Sequence, residues 1–390
     1  MKIVLLNHHE QFMGYSMTRY ANYLCEGMKQ RGHDCEIWYP KSYLAKRFFP
    51  QGIKKWLRYC DQFLIFPIYF LIRSSRHPKT TIYVLVDQAL GMWMPLIKNR
   101  KHVVHCHDFT ALKSSLGEIK ENPTGLTGKM YQKLILKGFK QAKCFISVSK
   151  HTQKELNFFL EKTPSINEQV YNALDTMFKP GSVKDIRLEL CQHLGLSLEE
   201  GYILHVGGND FYKNRIGVIA LYNAWRKKTK KSIPLLMIGY APSLKIKKYF
   251  ESSPYKHDIH FLKDVDNNLL LKAYQGAKVF VFPSLYEGFG WPVAEAMASG
   301  SPVITTNEAP MNEVGGDAAI YIDKCSLHEN ISKWAVKSAE ILEYILSISD
   351  SERVKLVEAS LLNSKRFEPD RLLQKIEKIY KQIEGIEHTS

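Results

Sequence analysis

The sequence predicts an α/β protein of two domains, each a parallel sheet covered by helices. Three observations predict it. Strand and helix patterns alternate through the first 150 residues, the same rhythm restarts after residue 178, and the chain is long and apolar enough for two cores, with 390 residues of which 45% are hydrophobic.

Taken in order, residues 2–7 read as a buried strand. Residues 17–31 have helical spacing and stop at Gly32, a favourable residue just past a helix end. Strands are expected at 34–39, 82–86, 103–107 and 144–149, with a helix over 128–141. Residues 171–175, followed by Phe178 and Pro180, read as a strand end and linker. Beyond them, strands are expected at 202–206, 235–239, 259–262, 279–283, 303–305 and 319–322, and an amphipathic helix at 369–383. Residues 63–72 form an apolar and aromatic run flanked by Lys54, Lys55 and Arg58 on one side and Arg73, Arg76 and Lys79 on the other. This run predicts a core helix whose basic surroundings lie near a membrane surface.

Composition narrows the function. No apolar run reaches the ~18 residues that span a bilayer, and the apolar start is too short for a signal peptide, so a cytoplasmic protein is expected. The seven cysteines are scattered without C-x-x-C, which predicts reduced thiols, no disulfide framework and no zinc site. Residues 1–175 hold 26 Lys and Arg against 13 Asp and Glu, a net of +13 out of a total of +15. Such asymmetry predicts an anionic partner for the first half, at the inner face of a membrane or on a charged acceptor. Nucleic acid is disfavoured, because clustered aromatic–basic RNA motifs are absent. The loop after the first strand lacks G-x-G-x-x-G and no G-x-x-x-x-G-K-[ST] occurs, which sets aside dinucleotide dehydrogenases and P-loop kinases.

The most informative segment is residues 281–300. An apolar run ends in a loop holding Glu287, Gly288, Phe289 and Gly290. A helix starts at or near Pro292, with Glu295 one turn inside. A helix start attracts phosphate, and glycines let backbone N–H groups approach it. Carboxylates accept hydrogen bonds from hydroxyls. A diphosphate with hydroxyl-rich rings at both ends, a nucleotide-sugar, fits that arrangement.

Glu287 and Glu295, with seven residues between them, resemble the E-x7-E signature of family 4 of the retaining glycosyltransferases. Pro283-Ser284 before it, residues 296–304 after it and residues 312–319 beyond agree with that family. The resemblance implies the GT-B fold: two Rossmann-like domains with parallel sheets facing across a cleft that holds the active site. It implies an N-terminal acceptor domain of residues 1–178 plus a returning helix at about 367–390, and a donor domain of residues 179–366. It also implies a nucleotide-sugar donor, a glycan or lipid-linked acceptor, and no cofactor or metal. Residue by residue, Glu295 would bind the ribose, Glu287 the donor sugar, and Lys213 with Gly207, Gly208 and the residue 288–290 backbone the diphosphate. Where the family commonly has an arginine, this chain has Gly208; Arg215 is the candidate replacement. His107, with Asp108 after it, matches the family's strand-end His-Asp, and Asp87 is a further cleft candidate. Gly14 opens the first long helix near the donor phosphates, and Val265 meets the base through its backbone. A two-carboxylate double displacement needs carboxyls ~5 Å apart across the bond, and the motif supplies no such pair, so front-side attack with retention is expected. A nucleotide-sugar epimerase on the same fold and a non-catalytic accessory protein are the alternatives.

Overall fold

The computed structural model describes residues 1–9, 15–44, 51–325 and 330–386. It divides into two compact units, Met1–Tyr171 with Asp370–Ser390, and Asn172–Pro369.

The first unit holds strands β1 (Lys2–Leu6), β2 (Asp34–Trp38), β3 (Ile82–Leu85), β4 (His102–Cys106), β5 (Cys144–Ser147) and β6 (Ile166–Gln169). They form one sheet in the order β2-β1-β3-β4-β5-β6, every pair parallel. Helices used below are α1 (Tyr15–Gln30), α2 (Gln51–Cys60), α3 (Phe66–Ser74) and α4 (Leu126–Phe139). The second unit holds β7 (Ile203–Val206), β8 (Leu235–Ile238), β9 (Ile259–Leu262), β10 (Val279–Phe282), β11 (Val303–Thr306) and β12 (Ile320–Ile322), in the order β12-β11-β10-β7-β8-β9, again all parallel. Its helices α5 (Arg215–Lys228) and α6 (Trp291–Ala298) follow β7 and β10, and α7 (Pro369–Gly385) closes the chain.

A parallel sheet buried on both faces needs strands that are apolar throughout. Ile3 to Leu6 and Val279 to Phe282 are fully buried in this way. Each sheet reverses its strand order once, between β1 and β3 in the first unit and between β7 and β10 in the second. Loops leaving such a pair diverge, and the carboxyl ends beside the reversal are where open α/β sheets bind ligands.

The helix α7 belongs to the first unit. His105 on β4 hydrogen-bonds Tyr20 of α1 through Nδ1 at 2.6 Å and Tyr380 of α7 through Nε2 at 2.8 Å. Gly27 lets α1 and α7 touch, since a Cβ there would lie 2.4 Å from Leu373 Cδ1. Outside that contact, His33 and Arg31 meet Glu377.

The structure departs from the sequence reading in two places. Residues 166–169 are a strand that the sequence pattern concealed. Among the described residues β6 is an edge strand paired with β5, and its Asn167, Glu168 and Gln169 are at least partly exposed, which permits polar side chains. The run 63–72 is helical but is no core helix: Phe66 and Phe70 are buried, whereas Leu64, Ile68, Leu71 and Ile72 are more than half exposed.

Candidate active site

The second unit gathers its candidate residues on the two loops beside the strand reversal. Lys213 ends a short 3-10 turn after β7, and Glu287 lies in the loop after β10. Lys213 Nζ donates to Glu287 Oε1 at 2.6 Å, with side chains 16% and 11% exposed. The Ser284 hydroxyl lies 2.8 Å from both Glu287 Oε1 and the Tyr212 carbonyl. The Leu285 N–H also donates to that carbonyl, at 2.7 Å. The lysine expected to meet the diphosphate and the carboxylate expected to meet the sugar are therefore partners of each other.

Asn214 sets this arrangement. It takes the left-handed conformation, φ 52°, and caps α5 by accepting from the Gly217 N–H at 3.1 Å. Its amide donates to the Pro283 carbonyl at 3.1 Å and so ties the β7 loop to the β10 loop. Asparagine tolerates that φ better than most residues. Asn214→Ala loses the cap, leaves a buried carbonyl unpaired and strains the backbone. Together these should cost about 2–3 kcal/mol in a urea melt, with Asn214→Gly recovering the backbone share. Equal melts for Asn214→Ala and wild type would refute the assignment.

Gly207 and Gly290 are constrained in different ways. A Cβ on Gly207 would lie 3.0 Å from His205 Nε2 and 3.3 Å from Lys213 Cβ. Gly290 caps α6 at φ 99°, a conformation open to glycine and strained for other residues. The helix starts at Trp291, one residue before Pro292. Of the two loop glycines only Gly290 has a positive φ. Glu295 lies on α6, 5% exposed, and accepts from the Tyr274 hydroxyl at 3.2 Å. Phe289 is buried with its ring edge-on to Phe367, and half-buried Val265 follows Asp264, itself at φ 54°.

Arg215, the candidate replacement for the family's arginine, is turned inward. It is 2% exposed, stacks on Phe261 at 5.0 Å, and its Nη1 holds Asn209 Oδ1 at 2.6 Å and the Tyr240 carbonyl at 2.9 Å. Its Nε and Nη2 have no partner among the described residues. Burial pulls its pKa down to about 10. The guanidinium thus braces the residue 207–210 loop from the protein side. His205 is buried beside it, donates from Nδ1 to the Val281 carbonyl at 2.9 Å, and is held neutral, with burial lowering its pKa to about 3.

In the first unit, the strand reversal carries a second cluster. His8 follows β1 and Asp87 follows β3, and His8 Nε2 lies 2.9 Å from Asp87 Oδ2. Asp87 Oδ1 also accepts from the Ala89 N–H at 2.8 Å. Burial opposes ionisation of Asp87, but His8, His107 and the Ala89 N–H together hold its carboxyl below the ordinary value. His107, after β4, donates from Nε2 to the Val86 carbonyl at 3.0 Å, which leaves Nδ1 as its acceptor. Burial lowers its pKa in spite of nearby Asp87. Asp108 accepts from the Thr110 N–H at 2.8 Å and organises the following turn. Gly14 lies outside the described residues. Sequence reasoning missed His8; its position two residues past the first strand at the sheet's reversal is the signal that finds it.

The geometry can be compared with known proteins. The family described as Glycosyl transferases group 1 matches residues 187–343. The matched stretch lies within the second unit. It holds the Lys213–Glu287 pair, Arg215, Gly290 and Glu295. The O-antigen chain mannosyltransferase B of Escherichia coli is 34% identical over 126 residues, 32% of this chain and 33% of the relative. The aligned stretch thus spans about a third of that relative's length. Over 98% of both chains the fold is similar to sucrose-phosphate synthase from Thermosynechococcus elongatus, with a TM-score of 0.75 and 18% identity. Over 98% of this chain and all of the other it is similar to Anabaena HepE in complex with UDP, with a TM-score of 0.70 and 14% identity. These likenesses and the two six-stranded parallel sheets are those of the two-domain, Rossmann-like GT-B fold.

Proposed function

We propose that the chain is a retaining, family 4 glycosyltransferase that moves a hexosyl group from a nucleoside diphosphate sugar to a glycan or lipid-linked acceptor. The observation that carries this reading is the Lys213–Glu287 contact beside the strand reversal of the group 1 segment. A resting ion pair of this kind can exchange partners. The diphosphate draws Lys213 away, and Glu287 is released to accept a hydrogen bond from a sugar hydroxyl. Gly290 and the start of α6 approach the phosphates, and Glu295 receives the ribose hydroxyls. Arg215 keeps the glycine loop in shape without touching the donor.

In the reaction, the acceptor hydroxyl attacks the anomeric carbon on the face the diphosphate leaves. The carbon–oxygen bond to phosphate breaks, and the departing phosphate oxygen takes the acceptor's proton. Lys213 and the α6 start stabilise the negative charge that develops there, where preorganised donors act most strongly. In this reading the first unit serves the acceptor, with His107 Nδ1 as a hydrogen-bond acceptor on its side. Mannose is the first donor sugar to test, because the E. coli relative is named a mannosyltransferase.

The test is a thermal-shift panel of nucleoside diphosphates and their sugars, with Glu295→Ala beside wild type. A donor at 100 times its Kd should stabilise the wild type by ~2.7 kcal/mol. A selective shift lost in Glu295→Ala supports the donor site and names the base. No shift with any nucleotide-sugar removes the transferase reading and favours an accessory protein.

A further inference from the structure

The helical stretch from α2 through α3 is amphipathic in the wrong sense for a surface helix in water. Its Asp61 and Gln62 are buried: Asp61 Oδ1 accepts from the Leu44 N–H at 3.0 Å, and Gln62 Nε2 donates to the Tyr131 hydroxyl at 3.0 Å. Its outward face instead carries Trp56, Leu64, Ile68 and Ile72, exposed by 65%, 61%, 59% and 60%. A π-helical turn over Asp61–Ile65 joins the two helices. The wider turn lags the helical rotation and keeps Trp56 in line with Leu64.

α4 continues this surface. Tyr131 packs on Tyr59 and Phe63, each at 6.2 Å between ring centroids, so α4 borders the α2–α3 face. Its own exposed stripe holds Leu126 at 81% and Met130 at 73%. Exposed Lys129, Lys133 and Lys137 run alongside. Residues 51–79 and 126–140 together contain ten Lys and Arg against one acid, Asp61, and Asp61 is buried.

We propose that this face docks the first unit on an anionic lipid bilayer. The apolar stripe seats in the headgroup layer, and the lysines and arginines pair with lipid phosphates. The chemistry is complementary on both counts: tryptophan and branched aliphatics suit the acyl boundary, and a basic margin suits anionic headgroups. A second copy of the chain is a poorer occupant, because two-fold pairing would set one basic margin against another. Among the described residues no helix is long and apolar enough to cross a membrane, so the contact is peripheral. This inference does not depend on the donor reading, and its test needs no sugar.

The test is co-sedimentation of the full chain with vesicles of phosphatidylcholine alone or with added phosphatidylglycerol, over a salt series. The wild type should bind only the anionic vesicles and be released as salt rises. Lys129→Gln with Lys133→Gln should weaken binding about thirtyfold. Trp56→Ser with Ile68→Ser and Ile72→Ser should weaken it at least ~100-fold, with an unchanged melting temperature because the positions are exposed. Failure of the wild type to bind at low salt overturns the proposal, and the salt series establishes this without any variant. Binding that ignores either the apolar substitutions or the lipid charge also overturns it. A wild type that ignores vesicles but dimerises, with the dimer lost in the apolar variant, assigns the face to a second copy instead.

Discussion

Lys213→Met is expected to lower turnover by about 10²–10³-fold, the cost typical of removing one preorganised donor from a developing oxyanion. The loss should fall on kcat more than on KM for the donor. A cation that serves the leaving phosphate does most once the carbon–oxygen bond has stretched. The resting structure adds a second consequence. Glu287 loses its partner at 2.6 Å and keeps the Ser284 hydroxyl. Its side chain is 11% exposed, so water relieves some of the burden, and the stability cost should be about 1–2 kcal/mol. Lys213→Arg keeps the charge but brings a planar fork where a point charge fits, and should recover only part of the rate.

The same pair separates two roles for Glu287. If it accepts a sugar hydroxyl once Lys213 moves, Glu287→Gln should lose about 10- to 100-fold in kcat. If it only holds the lysine at rest, Glu287→Gln should keep kcat and bind donor more tightly, because no ion pair has to open. The combined variant should cost less than the product of the two single losses, since the residues act as one unit. Lys213→Met with turnover within about threefold of wild type would remove the lysine from the chemistry.

The sequence makes the sheets legible because a parallel strand buried on both faces must be apolar throughout, as at Val279 to Phe282. It does not reveal β6, whose edge position allows Asn167, Glu168 and Gln169. The α2–α3 run misleads because apolar composition alone does not say which residues the rest of the chain covers, and here Leu64, Ile68 and Ile72 face outward. The candidate residues of the second unit are legible as a motif, but their mutual contacts are not. Nothing in local spacing says that Lys213 and Glu287, on loops 74 residues apart, meet at 2.6 Å. That contact follows from β7 and β10 being neighbours, a property of strand order. The inward turn of Arg215 is equally invisible, because it depends on Phe261 of β9 and on the Tyr240 carbonyl in the loop after β8. His8 gains meaning in the same way, from β1 lying beside β3.

Acid should destabilise both units well before the carboxylates protonate. His105 in the first unit and His205 in the second are fully buried, and burial lowers each pKa from 6.5 to about 3. Below pH 6.5 the unfolded chain takes up protons that the native imidazoles refuse, so stability falls as pH drops through the window from about 6.5 to about 3 and is flat above it. At pH 5 each histidine should have removed ~2 kcal/mol, from 1.36 kcal/mol per pH unit over ~1.5 units. His107, also lowered by burial, acts in the same direction, and Asp87, held below its ordinary value, adds to the loss only in stronger acid. His205→Asn keeps a donor for the Val281 carbonyl and removes the titrating group. Urea melts from pH 5 to 8 should then show a shallower pH slope for the second unit, by about one proton, and an unchanged slope for the first. An identical slope in the variant would show that His205 does not titrate as a buried neutral ring. A slope of the opposite sign would mean that the native state stabilises the charged imidazoles, against the complete burial of both rings.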